Sequence, residues 1–329
     1  MLNPAALIDS IVVEHRAFKE AKERIETYLR LGSGTSEPQC LMLAGDSGTG
    51  KTLLLNLIKD QFPSVHDDDG WTKPLVLVSL DSKATILGLG WSILTELDEH
   101  TSGRYTESAL SRRIERLMKE CGTVILLCDE FQHFVDRRTD RVLYHAADWL
   151  KILVDARKLL LIVAGLPRCE AAVLQNEQLA RRFRAPIRLP RFDWQDLQQR
   201  EEFIALLRGF YDPLRKHYSL PKIYDEDWAF RLYCATGGLI GYLANFLKEL
   251  LIQANTRRRQ GKLTMERFAD AFHSYRFSAA GTEELNPFDR AFAPLPTLDV
   301  LDKVARIGKP SRPTENRKAR AASNSEGSK

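Results

Sequence analysis

The chain is short of the residues that build covalent or metal frameworks. It has five cysteines, Cys40, Cys121, Cys128, Cys169 and Cys234, an odd number with no C-x-x-C pair. That pattern argues against a disulfide scaffold and for buried, reduced thiols in a reducing compartment. Seven histidines form no H-E-x-x-H or similar spacing, so no structural metal is expected. Long apolar runs are missing too. Stretches such as 159-LLLIVAG-165 fall far short of the ~20 residues that span a bilayer, so no membrane association is expected. Met1–Asp9 has no cationic start followed by an apolar core, so no secretory signal is read there, and a cytoplasmic location is the expectation. Net charge is only +4, so bulk charge does not call for nucleic acid; local charge has to carry that case. No internal repeat is visible.

What is present is a chain of 329 residues, 44% hydrophobic, enough for one large domain and a smaller one. Four segments follow. Residues 1–38 read as one amphipathic helix over 4–31 and a breaker-rich linker, 32-GSGTSEP-38. Residues 39–190 alternate short apolar runs (40–45, 75–80, 123–129, 159–165, 186–190) with helical patterns near 52–61, 85–99, 106–120, 141–157 and 170–182. Continuous apolar runs between helices predict an α/β core with a parallel five-stranded sheet covered on both faces. Residues 191–277 show helices near 194–217, 225–235, 239–258 and 264–275 and no strand, a small all-α domain. From 278 to 329 Pro, Ser, Asn and Gly rise, with seven Lys/Arg against one acid between Lys303 and Arg320. This reads as a flexible, partly basic tail with a disordered end; 295–307 could be helical, on a partner.

Chemistry concentrates in three places. The first is 41-LMLAGDSGTGKTLLLNLI-58, a strand, a G-x-x-x-x-G-K-T loop and a helix. Gly45, Asp46, Ser47, Gly48, Thr49 and Gly50 would cradle phosphates with backbone N–H groups at a helix N-terminus. Lys51 would reach the β/γ-phosphates and Thr52 would put its hydroxyl on Mg²⁺. The second is 124-VILLCDE-130, a strand ending in two acids. Asp129 is placed to hold Mg²⁺ or its water, and Glu130 to orient and deprotonate an attacking water. The third is 177-EQLARRFRAPIRLP-190, where Arg181 and Arg182 precede the last strand. An arginine inserted into a neighbouring subunit's site accelerates phosphoryl transfer, and the sequence leaves the choice between the two open. An ordinary basic helix end is the competing reading.

Together these elements resemble the AAA+ ATPases over about 39–277, with the all-α domain as their helical lid. Within that class 129-DEFQHFVD-136, 148-DWLKILVD-155, 163-VAGLP-167, 176-NEQLARRF-183 and 236-TGGLIGYL-243 resemble the TniB/TnsC transposition regulators. The resemblance implies ATP bound with Mg²⁺ at subunit interfaces and self-assembly into a ring or helical filament around double-stranded DNA. It implies coupling of a target-selection factor to transposase subunits, and hydrolysis tied to disassembly. Two alternatives stay open: a general AAA+ loader or secretion-type ATPase, and a nucleotide-bound scaffold that does not hydrolyse. Two departures stand out. The γ-phosphate-sensing polar residue that commonly ends the fourth strand is missing from 164-AGLP-167, and the lid arginine is missing from 237-GGLIGY-242. Gln132 or His133 is the substitute at hand. Both gaps point to slow hydrolysis.

For DNA, a helix starts in 81-DSKATIL-87, which the resemblance turns toward a ring's channel. Lys83, Thr85 and Arg104 are the main candidates for phosphate contacts, with Arg112, Arg113, Arg137 and Arg138 behind them. No base-reading module is evident, so binding should be largely independent of sequence and steeply salt-dependent.

Overall fold

The computed structural model describes residues 4–32, 39–68, 70–82, 84–99, 105–135, 140–175, 180–256, 262–275 and 286–309. The chain divides into two compact units, Glu14–Arg191 and a second that joins Met1–Val13 to Phe192–Lys329.

The larger unit is built on a parallel sheet. Its five strands are β1 (Cys40–Ala44), β4 (Leu75–Ser79), β5 (Ile125–Asp129), β6 (Leu160–Gly165) and β7 (Ile187–Arg188), in the spatial order β4-β5-β6-β1-β7. The strands are apolar throughout because both faces are covered. Cys40, Met42, Val76, Val78, Leu126, Cys128, Leu161 and Val163 point to one face. There they pack on helices α4 (Ile86–Glu96), α5 (Glu107–Glu120), α7 (Asp140–Arg157) and α8 (Arg168–Gln175). The alternate residues Leu41, Leu43, Leu75, Ile125, Leu127, Ile162 and Ala164 point to the other, against α2 (Arg16–Gly32) and α3 (Lys51–Lys59). This is the period-2 alternation of a strand read on two buried faces. Thr85 and Thr106 cap α4 and α5, accepting from the Gly88 and Ala109 amides. An antiparallel pair absent from the sequence reading is formed by β2 (Val65–Asp67) and β3 (Gly70–Thr72). A single helical turn, α6 (Gln132–Val135), follows β5.

The expected helix over 4–31 is two helices. α1 (Pro4–Asp9) ends before a coil that carries the β-branched run Ile11-Val12-Val13, and α2 restarts at Arg16. The apolar positions of the two halves serve different cores. Ile8 is buried in the helical unit, whereas Phe18, Ala21 and Ile25 are buried on the sheet. Each such large side chain contributes about 2 kcal/mol on burial, against about 1 kcal/mol net per backbone hydrogen bond given up at the break. Residues 1–38 therefore do not form one segment.

The smaller unit is all-α: α1 with α9 (Leu197–Leu214), α10 (Glu226–Thr236), α11 (Ile240–Thr256), α12 (Met265–Tyr275) and α13 (Leu298–Val304). Asp196 caps α9 by accepting from the Gln199 amide. Its core is aromatic, with Phe246 and Phe288 stacked at 5.4 Å between ring centroids. Here the boundary expected at 278 is corrected. Phe288, Val304 and Ile307 are buried in this core. The Arg231 guanidinium donates to the Pro287 carbonyl at 2.5 Å and the Phe292 carbonyl at 3.3 Å. Residues 286–309 thus belong to the folded unit, and the helix near 295–307 packs on its own chain. The sequence hid this because only a few apolar residues, spaced among prolines, make the contact. The basic residues beyond Lys309 lie outside the described residues. No helix among the described residues is long and apolar enough to cross a membrane.

Candidate nucleotide site

The carboxyl ends of β1, β5 and β6 are neighbours in the sheet, and the loops that leave them meet. Gly45 donates its amide to the Gly165 carbonyl at 3.1 Å, and Phe131 donates to the Ala164 carbonyl at 2.9 Å. Gly45 has no room for a side chain: a Cβ would sit 2.4 Å from the Leu189 carbonyl oxygen and 2.6 Å from Thr49 Oγ1. Asp46, Ser47, Gly48 and Thr49 turn the chain, and the Thr49 hydroxyl donates to the Asp46 carbonyl at 2.9 Å. Gly50 caps α3 in the left-handed conformation, φ 98°.

Lys51, the first residue of α3, is buried and donates from Nζ to the carbonyls of Gly45 at 2.8 Å and Asp46 at 2.9 Å. Burial lowers its affinity for the proton; the charges of Asp129, Glu130 and Asp46 oppose that shift. The ammonium is thus held inside the loop by ligands that a phosphate group would outbid by charge. Thr52 Oγ1 donates to Asp129 Oδ2 at 2.6 Å. Asp129 is buried at the end of β5, and its Oδ1 accepts from the Glu130 amide at 2.8 Å. A hydroxyl and a carboxylate are hard oxygen ligands. Two from the protein, with the rest left to phosphate and water, suit Mg²⁺. Among the described residues no group of three or more His, Cys, Asp or Glu could hold a metal ion.

Glu130 takes a left-handed backbone, φ 57°, and its side chain is half exposed. Its Oε2 accepts from Gln132 Nε2, and His133 Nε2 lies 3.7 Å from the same oxygen. The residues expected to work together, Gly45–Thr52 with Asp129 and Glu130, are therefore brought together.

The arginines are elsewhere. Phe183 bridges Cys40 at the start of β1, with Cys40 donating to the Arg182 carbonyl at 3.2 Å. At ~3.3 Å per residue this end of β1 is about 16 Å from Gly45, too far for an arginine of the same chain to serve its own phosphate loop. Arg182 pairs with Asp155 of α7, NH2 donating to Oδ2 at 2.7 Å, while Arg181 is exposed. Arg184 donates to Gln39 Oε1 at 3.0 Å.

Of the residues expected on DNA, Thr85 is exposed, and its hydroxyl caps α4. Lys83, Arg104, Arg137 and Arg138 lie outside the described residues. Arg113 is bound to Glu99 at 2.6 and 2.8 Å, and Arg112 is exposed.

One residue at the loop escaped the sequence reading. Arg191 donates from Nε to Asp46 Oδ2 at 2.8 Å, adding a cation to the phosphate loop. Nothing local announces it, since 145 residues separate the partners.

Solved structures with this fold include the Orc2 protein of Aeropyrum pernix in ADPNP-ADP complexes. It is 16% identical, with TM-score 0.56, and the match covers 84% of this chain and 73% of that one. Cdc6p of Pyrobaculum aerophilum is 14% identical with TM-score 0.56, over 81% of this chain and 69% of that one. These likenesses fix the fold, an AAA+ P-loop core followed by a helical C-terminal region. A comparison with curated proteins finds no match. A family model described as "Bacterial TniB protein" matches residues 6–194. That span exceeds half the chain and contains every side chain of the phosphate loop, the acidic strand end and the arginine segment, so the protein belongs to the TniB family.

Proposed function

We propose that the protein is an ATP-hydrolysing regulator of DNA transposition that assembles on double-stranded DNA through its nucleotide sites. The observation that carries the reading is the junction of Thr52 with Asp129, beside Lys51 and Glu130. It supports a reading in which a phosphate grip, a Mg²⁺ position and a carboxylate base would share one end of the sheet. In the proposed reaction a water oxygen attacks the γ-phosphorus and the bond to the β–γ bridging oxygen breaks. Glu130 takes the water's proton, and ADP and phosphate leave. Mg²⁺, held by Thr52 and Asp129, would neutralise charge on the phosphates. Lys51 would exchange its loop carbonyls for phosphate oxygens.

Arg181 is the proposed arginine that completes a neighbour's site. It is exposed, it stands beside the start of β1 rather than at its own phosphate loop, and its neighbour Arg182 is already paired. A site completed from outside couples nucleotide to polymer, whether ring or filament. Lys83, Thr85 and Arg104 would contribute a few phosphate contacts per subunit, multiplied by assembly. Membership of the TniB family supports transposase subunits and a target-selection factor as the partners. The proposal predicts ATP-dependent particles on duplex DNA by electron microscopy, dispersed when ATP is hydrolysed. A chain that stays monomeric on DNA with every nucleotide overturns it.

A further inference from the structure

The end of β6 offers Gly165, Leu166 and Pro167, with no polar side chain to read the γ-phosphate. The side chain of Gln132, the first residue of α6, is bound to this strand end. Gln132 is buried, and both ends of its amide are used. Oε1 accepts from the Leu166 amide at 3.3 Å, and Nε2 donates to Glu130 Oε2. A buried primary amide needs such partners at both ends, so its orientation is fixed rather than free. The seat is tight. A Cβ on Gly165 would lie 3.2 Å from Gln132 Oε1 and 2.9 Å from Cys169 Sγ. The backbone is pinned on either side, by Phe131 to the Ala164 carbonyl at 2.9 Å and by His133 to the Glu130 carbonyl at 3.0 Å.

Beside Gln132, the Glu130 carboxylate meets His133 Nε2 at 3.7 Å, beyond hydrogen-bond length. The Glu130 side chain is 41% exposed, and its left-handed backbone costs about 1 kcal/mol for a residue with a Cβ. A general base must be aimed before its basicity matters. We propose that Gln132 is the positioning residue for Glu130, tying its carboxylate to the β6 end so that the carboxylate's aim follows that strand end. Gln132 acts through Glu130 and does not touch the reacting atoms. The inference rests on the proposed ATPase reading.

The test separates the two ends of the amide. Gln132→Glu keeps an oxygen for the Leu166 amide but loses the donor to Glu130; Gln132→Met loses both without adding charge. Steady-state ATP hydrolysis by the full-length chain on duplex DNA should fall ~10- to 100-fold in kcat for both variants, with KM for ATP within about twofold of the parent, the range expected when an aligned base is lost. If Gln132→Met melts early, Gln132→Glu, which keeps the Leu166 bond, carries the measurement. A wild-type kcat in either folded variant, or a loss confined to KM, overturns the inference. Glu130→Gln run in parallel distinguishes the failures. Hydrolysis abolished by Glu130→Gln but untouched at Gln132 sinks only the positioning role. A parent that does not hydrolyse ATP, or a fully active Glu130→Gln, sinks the ATPase reading and this inference with it.

Discussion

The Thr52 hydroxyl donates to the Asp129 carboxylate across 2.6 Å, linking residues 77 apart in the chain. One belongs to the first turn of the helix after the phosphate loop, the other to the end of β5. The strand order makes this possible: β1 and β5 both flank β6, so their carboxyl ends open on the same side of the sheet.

Around that bond, Lys51 and Glu130 should separate binding from turnover. Lys51→Ala removes charge-assisted hydrogen bonds worth ~1.5–3 kcal/mol each, so ATP affinity should fall at least ~100-fold and assembly with it. Glu130→Gln should bind ATP normally, lose about 10²–10⁴ in turnover, and remain assembled on DNA. Fluorescent-nucleotide titration and particle sizing give both readouts. A Glu130→Gln chain that cannot assemble removes Glu130 from the proposed role.

The two adjacent arginines should part company. Arg181→Ala is expected to keep the parent's melting temperature and single-chain ATP affinity while losing hydrolysis in the assembled state. Arg182→Ala leaves Asp155 without its partner, in a pair about a quarter to a third exposed, so a loss of about 1 kcal/mol in stability is expected. Thermal denaturation beside ATPase assays of mixed wild-type and variant assemblies would decide; the reverse assignment is the losing outcome.

Acid should weaken the fold through His15. The ring is buried at the start of α2, 6.0 Å from the Phe18 ring, and burial pulls its pKa down from 6.5 to about 4. The unfolded chain takes up the proton first as pH falls, so stability is lost between pH 6.5 and about 4 and not further below. The linked cost approaches ~3 kcal/mol. Urea denaturation at stepped pH should show this slope, and His15→Leu should flatten that part of it. An unchanged slope in the variant would assign the pH dependence to other groups.

Two truncations test where the helical unit ends. A chain cut after Lys309 keeps every described residue of the unit and serves as the reference. A chain cut immediately before Asn286 loses Phe288, Val304 and Ile307 from the core, each large apolar side chain worth ~1.5–3 kcal/mol, and should lose several kcal/mol. Equal melting of the two would return 286–309 to the tail that composition suggested.

The core of the fold and the heart of the site were legible because their signals are local. The runs that became β1, β4, β5 and β6 were apolar without alternation, the mark of burial on two faces, and the loop 45–52 carries its chemistry in eight consecutive residues. The acids at 129–130 sat at a strand's end in the sequence itself. What the sequence could not decide depends on partners far along the chain. A continuous amphipathic pattern over 4–31 does not say that its two halves have different cores. Two adjacent arginines look alike until Asp155 takes one of them, and Arg191 acquires its relation to Asp46 only when β7 closes beside β1. Gln132 reads as the third residue after an acid; only the packing of the β6 end against it ties that amide to both Leu166 and Glu130. Periodicity and turn chemistry are written within a few residues, whereas ion pairs and shared hydrogen bonds are fixed by which strands become neighbours.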